Sequence, residues 1–191
     1  MRRKRVGVLI SGRGSNMRAL IEAARDPAYP AEIVHVVSNK ADAGGLAYAA
    51  SQGISTAVLS HKDHPSREAY DAALSAHLKA QGLDIICCAG FMRILTPVII
   101  NDWQGRMLNI HPSLLPLYKG LHTHERALAD GATEHGASVH IVTAELDGGP
   151  VVEQARVQVL PDDTPETLAA RVLTVEHPLY VRALAKLATS F

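Results

Sequence analysis

Val6-Gly7-Val8-Leu9-Ile10-Ser11-Gly12-Arg13-Gly14-Ser15-Asn16-Met17 is the stretch on which the fold turns. Val6 to Ile10 contains no polar residue and reads as a buried strand. A glycine-bearing turn follows at once. From Ser15 to Arg25 the apolar positions Met17, Leu20, Ile21 and Ala24 then fall on one helical face. Strand, glycine turn and helix form the opening unit of an α/β chain. Working outward, Ile33–Val37 reads as a second strand and Gly45–Gln52 as a helix. Thr56–Leu59 is a short third strand, Ser66 caps a helix reaching about Gln81, and Ile85–Ala89 is a fourth strand buried on both faces. This alternation predicts an α/β fold with a Rossmann-like, doubly wound, mostly parallel sheet.

Beyond residue 100 the pattern is less regular. Met107–Ile110 is a short strand feeding a proline-rich loop from His111 to Gly120, and His122–Asp130 looks helical. Ala137–Thr143 and Val151–Leu160 read as strands joined through Asp147-Gly148-Gly149-Pro150, which predicts an antiparallel hairpin. Thr164-Pro165-Glu166 starts the last long helix, and Pro178 is expected to kink or break it. Residues 1–191 are expected to form one domain. Its halves are a phosphate-binding part over about 1–100 and a catalytic part over about 101–191.

Lysine plus arginine number 19 and aspartate plus glutamate 19, so the formal net charge is zero. Such a chain has no global attraction for nucleic acid or an anionic membrane, and an anionic ligand must be held by a local site. Cys87 and Cys88 are adjacent in an apolar run and cannot bridge each other, which fits a reducing compartment. The basic start Met1-Arg2-Arg3-Lys4-Arg5 is followed by too short an apolar run for a signal peptide. No stretch approaches the ~20 apolar residues of a membrane span. A cytoplasmic protein is expected, with its basic tip solvated.

The loop Ser11 to Asn16 lies where a parallel sheet gathers ligands, at the carboxyl end of a strand and the amino end of a helix. Free backbone N–H groups and the helix dipole favour an anion there, and glycine lets it approach. The dinucleotide fingerprint fails, because Met17 occupies the third glycine position and Ser38-Asn39-Lys40 offers no acid after the second strand. A phosphate cradle fits, and so does a tight turn with no ligand.

Asn109-Ile110-His111 puts two polar side chains on the same face as a strand ends. Asp147 lies on a turn at the end of another strand. A carboxylate beside an imidazole favours its charged form, and a charged histidine with an asparagine amide makes two donors for a developing oxyanion. No Gly-x-Ser-x-Gly elbow is nearby, and neither cysteine has an acid–base pattern around it. The set therefore suits direct attack by a substrate nucleophile. Taken singly, His111 reads equally as a structural strand-end histidine, and Asp147 more readily as a turn former.

Asn109-Ile110-His111-Pro112-Ser113-Leu114-Leu115-Pro116 resembles the signature of the folate-dependent formyltransferases. Gly90-Phe91-Met92-Arg93-Ile94-Leu95 and Glu145-Leu146-Asp147-Gly148-Gly149 belong to the same pattern. The loop Ser11–Asn16 and the segments Ser38–Ala41, Ser66–Tyr70, Gly120–His124 and Glu176-His177 are similar to the branch that formylates phosphoribosylglycinamide in purine biosynthesis. The resemblance runs from about residue 5 to 185 in order. It implies two small-molecule substrates, 10-formyltetrahydrofolate as formyl donor and phosphoribosylglycinamide as acceptor.

Residue roles follow from the same resemblance. Gly14, Ser15 and Asn16 would bind the ribonucleotide phosphate, and Glu176 the ribose hydroxyls. Arg67, Met92, Arg93, Ile94 and Leu95 would form one side of the folate site, with Asn109. Ala144, Glu145, Leu146 and Asp147 would close the other. The amine would attack the formyl carbon while Asn109 and protonated His111 stabilise the oxyanion and Asp147 holds His111 charged and oriented. A bound water would carry the proton from the amine to the departing folate nitrogen. Ala144 stands where some relatives carry an acid, and the chain stops at Phe191, earlier than many. No metal is expected, since His61-Lys62-Asp63-His64 and His122-Thr123-His124 lie in polar surroundings without a cysteine cluster. No nucleic acid or membrane partner is expected, and the chain should be a monomer or weak homodimer. The alternatives are a hydrolase that passes the formyl group to water, and a phosphosugar-binding sensor that uses only the Gly14 loop.

Overall fold

The structure, a computed structural model, describes residues 1–191. Strands β1 (Lys4–Ile10), β2 (Ala31–Ser38), β3 (Ser55–Val58) and β4 (Ile85–Cys88) alternate with helices α1 (Ser15–Ala24), α2 (Gly44–Ser51) and α3 (Arg67–Ala80). Then come α4 (Pro97–Asp102), β5 (Met107–His111), α5 (Thr123–Ala129), β6 (Glu134–Ile141), β7 (Val151–Gln158) and α6 (Pro165–Ala188). One sheet of seven strands runs β3-β2-β1-β4-β5-β6-β7. Its first five members are parallel, while β6 and β7 are antiparallel to their neighbours. The strand order reverses between β1 and β4, so a crevice opens at their carboxyl ends. The predicted α/β sheet and its antiparallel C-terminal hairpin are both present.

Period-two alternation divides the strand residues between two layers. Val6, Val8 and Ile10 of β1 and Ile85 and Cys87 of β4 join the larger cluster of 25 buried residues, under α1, α2 and α6. Leu9, Ile86 and Cys88 join the smaller cluster of 12, under α3 and α4. Cys87 and Cys88 thus point to opposite faces, and both are free thiols. Because the second cluster is smaller, the ends of β4, β5 and β6 stay uncovered on that face. The cleft described below opens there.

The predicted Ser66 cap forms, and the predicted start of the last helix proves to be capped as well. The Ser66 hydroxyl accepts the Ala69 N–H at 3.0 Å, and the Thr164 and Thr167 side chains form a reciprocal box at the start of α6. Pro178 does not break α6, whose helical backbone runs unbroken through it. The proline removes one backbone bond, but Leu179 and Tyr180 are fully buried and the Tyr180 hydroxyl donates to the Cys88 carbonyl at 2.8 Å. Packing therefore overrides a cost of about 3 kcal/mol. The sequence also failed to predict α4, because six residues are too few to show a period. Its signals are Pro97 in the first turn and the buried pair Ile99 and Ile100. No helix is long and apolar enough to cross a membrane.

Candidate active site

The predicted phosphate cradle is built from glycine and backbone. Gly14 has φ +68°, a conformation only glycine adopts freely, and it turns the chain into α1. The Gly12 carbonyl accepts the Gly45 N–H of α2 at 3.0 Å. A Cβ on Gly45 would come within 2.5 Å of the Ile10 δ-methyl and 3.2 Å of the Gly12 carbonyl, so α2 presses directly on the loop. The first turn of α1 carries no acid to repel an anion. Asn16 is buried, and its Oδ1 has no partner. Glu176 reaches it from α6. Burial raises the Glu176 carboxyl above its usual range, while the neighbouring Asn16 side chain pulls the other way. The structure thus brings together Gly14, Ser15, Asn16 and Glu176, separated by some 160 positions in the chain.

Beside the cradle, Gly90 to Thr96 crosses the carboxyl end of β4 as a strap fixed at both ends. The Met92 N–H donates to the Ser11 hydroxyl at 2.8 Å. At the far end, Thr96 donates its N–H and its hydroxyl to Asp71 of α3, at 2.6 and 2.7 Å. Between these anchors the N–H groups of Arg93, Ile94 and Leu95 donate to nothing within the chain. They remain available to a polar ring. Arg67 does not line the cleft; its guanidinium holds the Ile94 carbonyl from outside at 3.2 Å. The Arg93 guanidinium lies over the Tyr70 ring, 5.2 Å from its centre.

A cleft of about 420 Å³ opens between the strap and the turn that joins β6 to β7. Met92, Ile94 and Leu95 form one lip, and Ala144, Glu145, Leu146 and Asp147 the other. Asn109 and His111 lie on its floor, on the same face of β5 as Met107, as period two requires. Asp147 is buried at φ +52°, which aspartate tolerates better than most residues. Its Oδ2 accepts the Gly120 N–H at 2.8 Å and stands 3.5 Å from His111 Nδ1. The turn depends on Gly149, whose Cβ would run into the Ile141 carbonyl oxygen. His111 Nε2 donates to the Tyr118 carbonyl at 2.8 Å, so both ring nitrogens face acceptors.

Sequence reading missed His140. Strand β6 pairs with β5 so that His140 stands opposite Asn109. Its Nδ1 donates to the Ile141 carbonyl at 3.1 Å, which leaves Nε2 to accept from the Asn109 amide at 3.3 Å. Burial lowers the His140 imidazole below its ordinary range, against the pull of Ile141 and Asp147, and so keeps that lone pair free. The available signal was Ser138 and His140 alternating with apolar Ala137 and Val139 in a strand already recognised. The remaining histidines do other work. His61 and His64 stand edge-on to Tyr70, and His124 Nδ1 meets His135 Nε2 at 3.1 Å.

Chemically, the floor offers amide and imidazole donors and one buried carboxylate. Cys88 also lines the cleft, but burial pushes its thiol up to about 12, which leaves no thiolate to act as a nucleophile near neutral pH. The arrangement suits charge stabilisation during transfer between two bound ligands.

The chain is similar to known proteins along almost its whole length. It is 55% identical to the phosphoribosylglycinamide formyltransferase of Brucella melitensis, with a TM-score of 0.94, covering 100% of this chain and 98% of that one. The phosphoribosylglycinamide formyltransferase of Escherichia coli (strain K12) is 51% identical over 173 residues, which is 91% of this chain and 82% of that protein. The trifunctional purine biosynthetic protein adenosine-3 of Drosophila pseudoobscura pseudoobscura is 53% identical over 189 residues. There the chain covers 98% of itself but spans only 14% of the longer relative. The profile of the family described as "Formyl transferase" matches residues 4–184, and the chain belongs to that family.

Proposed function

We propose that the protein transfers the formyl group of 10-formyltetrahydrofolate to the amine of phosphoribosylglycinamide. The observation that carries this reading is the convergence of Asn109, His111 and Asp147 at one cleft, with the phosphate cradle on the same edge of the sheet. The relatives named as phosphoribosylglycinamide formyltransferases support the choice of acceptor.

The ribonucleotide phosphate would sit on the N–H groups of Gly14, Ser15 and Asn16, and Glu176 would accept from the ribose hydroxyls. The free N–H groups of Arg93, Ile94 and Leu95 would meet the polar ring of the folate, while the two lips cover its apolar body. The amine nitrogen then attacks the formyl carbon, the bond from that carbon to the folate nitrogen breaks, and a proton passes from the amine to that nitrogen. Asn109, oriented by His140, donates to the formyl oxygen as it gathers charge. His111 becomes the second donor when that oxygen takes the place of the Tyr118 carbonyl at Nε2, with Asp147 holding the opposite side of the ring. Positioning and electrostatics carry the rate, without a covalent enzyme intermediate.

A spectrophotometric assay of folate deformylation, run with and without phosphoribosylglycinamide, tests this. Turnover that requires the ribonucleotide and collapses in His111→Ala supports the transferase. Turnover indifferent to the ribonucleotide makes the protein a hydrolase. Ribonucleotide binding with no turnover leaves a sensor.

A further inference from the structure

Ser11 lies outside the catalytic trio, yet it ties two other segments to its own. It is the first residue after β1 and the first of the phosphate loop, and it is buried. Its N–H donates to the Gly90 carbonyl at 3.1 Å. Its hydroxyl donates to Asn39 Oδ1 at 2.6 Å and accepts the Met92 N–H at 2.8 Å. Asn39 is itself buried and follows β2. A serine is the smallest side chain able to donate and accept together. Only Gly12, Arg13 and Gly14 separate it from α1, and the Gly12 carbonyl is already clamped by Gly45. A ligand that fixes the loop therefore has little slack to absorb before Ser11 moves or stiffens.

The other end of the strap differs. Asp71 holds Thr96 with bonds just as short, but α3 has no hydrogen bond to the phosphate loop. The molecule thus contains two anchors on one strap, only one of which is continuous with the cradle. We propose that Ser11 is a positioning residue that couples the two binding sites, its hydroxyl transmitting occupancy of the phosphate loop to the Met92–Leu95 segment. This rests on reading those segments as the ribonucleotide and folate sites.

The test is calorimetric titration of the whole chain with tetrahydrofolate, with and without saturating phosphoribosylglycinamide. In the unaltered protein the ribonucleotide should tighten tetrahydrofolate binding about five- to tenfold. In Ser11→Ala that ratio should fall toward one while each ligand alone still binds. Asp71→Ala should weaken tetrahydrofolate and leave the ratio intact, which a merely structural disturbance of the strap would not do. If Ser11→Ala fails to fold, Asn39→Ala, which removes one partner of the hydroxyl, should give an intermediate ratio. An unchanged ratio in Ser11→Ala, or in Asn39→Ala where that variant stands in, overturns the coupling. So does a ratio of one in the unaltered protein. An unaltered protein that binds neither ligand overturns the site assignment together with the coupling.

Discussion

The strap Gly90–Thr96 and the turn Thr143–Gly149 face each other across the cleft, and they are held in different ways. The strap is tied from outside, by Ser11 at Met92 and by Asp71 at Thr96, and it presents backbone. Its exposed side chains, Met92 and Ile94, contribute apolar surface. The turn is held by its own sharp geometry and by one inward side chain, Asp147, which meets Gly120 and His111. Its other side-chain ties are a contact from Asp147 Oδ1 to His140 Nε2 at 3.8 Å, an exposed ion pair from Lys119 to Glu145 at 2.9 Å and a long Thr143 bond at 3.5 Å. A lip that binds through backbone is sensitive to its anchors, whereas a lip that acts through a side chain is sensitive to that side chain. Changes on the strap side should therefore appear in folate KM, and changes at Asp147 in kcat.

Asp147→Asn is the largest test. It keeps the shape but removes the charge beside His111, and kcat should fall by about 10²–10⁴-fold with folate KM little changed. Steady-state kinetics would break the comparison if the loss lay in KM alone. Asp71→Ala comes next. Freeing both Thr96 donors loosens one end of the strap, and folate KM should rise about tenfold while kcat stays within a few-fold. A fall in kcat matching that of Asp147→Asn would show that the strap does more than bind.

Glu176 tests the ribonucleotide side. Its carboxyl is raised by burial, so as pH falls it takes up its proton at a higher pH than an ordinary carboxylate. In the proposed site the ionised form is the stronger acceptor for the ribose hydroxyls. Ribonucleotide KM should therefore rise on acidification, starting above the usual carboxylate range, and Glu176→Gln should flatten the profile. A wild-type KM flat through that range would remove Glu176 from the ribose site. Arg67→Ala is the smallest. Its guanidinium is exposed and reaches the strap through one carbonyl, so folate KM should rise only about two- to threefold. A change as large as that of Asp71→Ala would mean that Arg67 touches the folate directly.

Much of this arrangement was legible before folding. The unbroken run Val6–Ile10, the turn glycines and the caps Ser66 and Thr164 act over a few residues, and local patterns carry them. The i, i+2 spacing of Asn109 and His111 likewise determined that they share a face. Pro178 shows the limit of a local rule, because the burial of Leu179 and Tyr180 outweighs one lost backbone bond.

The chain order by itself determined a βαβ sheet, a glycine turn that opens the first helix and two polar side chains at a strand end, since these depend on periods of two and 3.6 and on backbone freedom. Tertiary structure alone decided which distant residues support them. His140 reaches Asn109 through the register of β6 on β5, Ser11 reaches Met92 across the switch point, and Asp71 reaches Thr96 from the second turn of α3. A polar side chain carries no mark of its partner in the sequence. The partner is fixed only when burial removes water and leaves one neighbour able to satisfy the hydrogen bond.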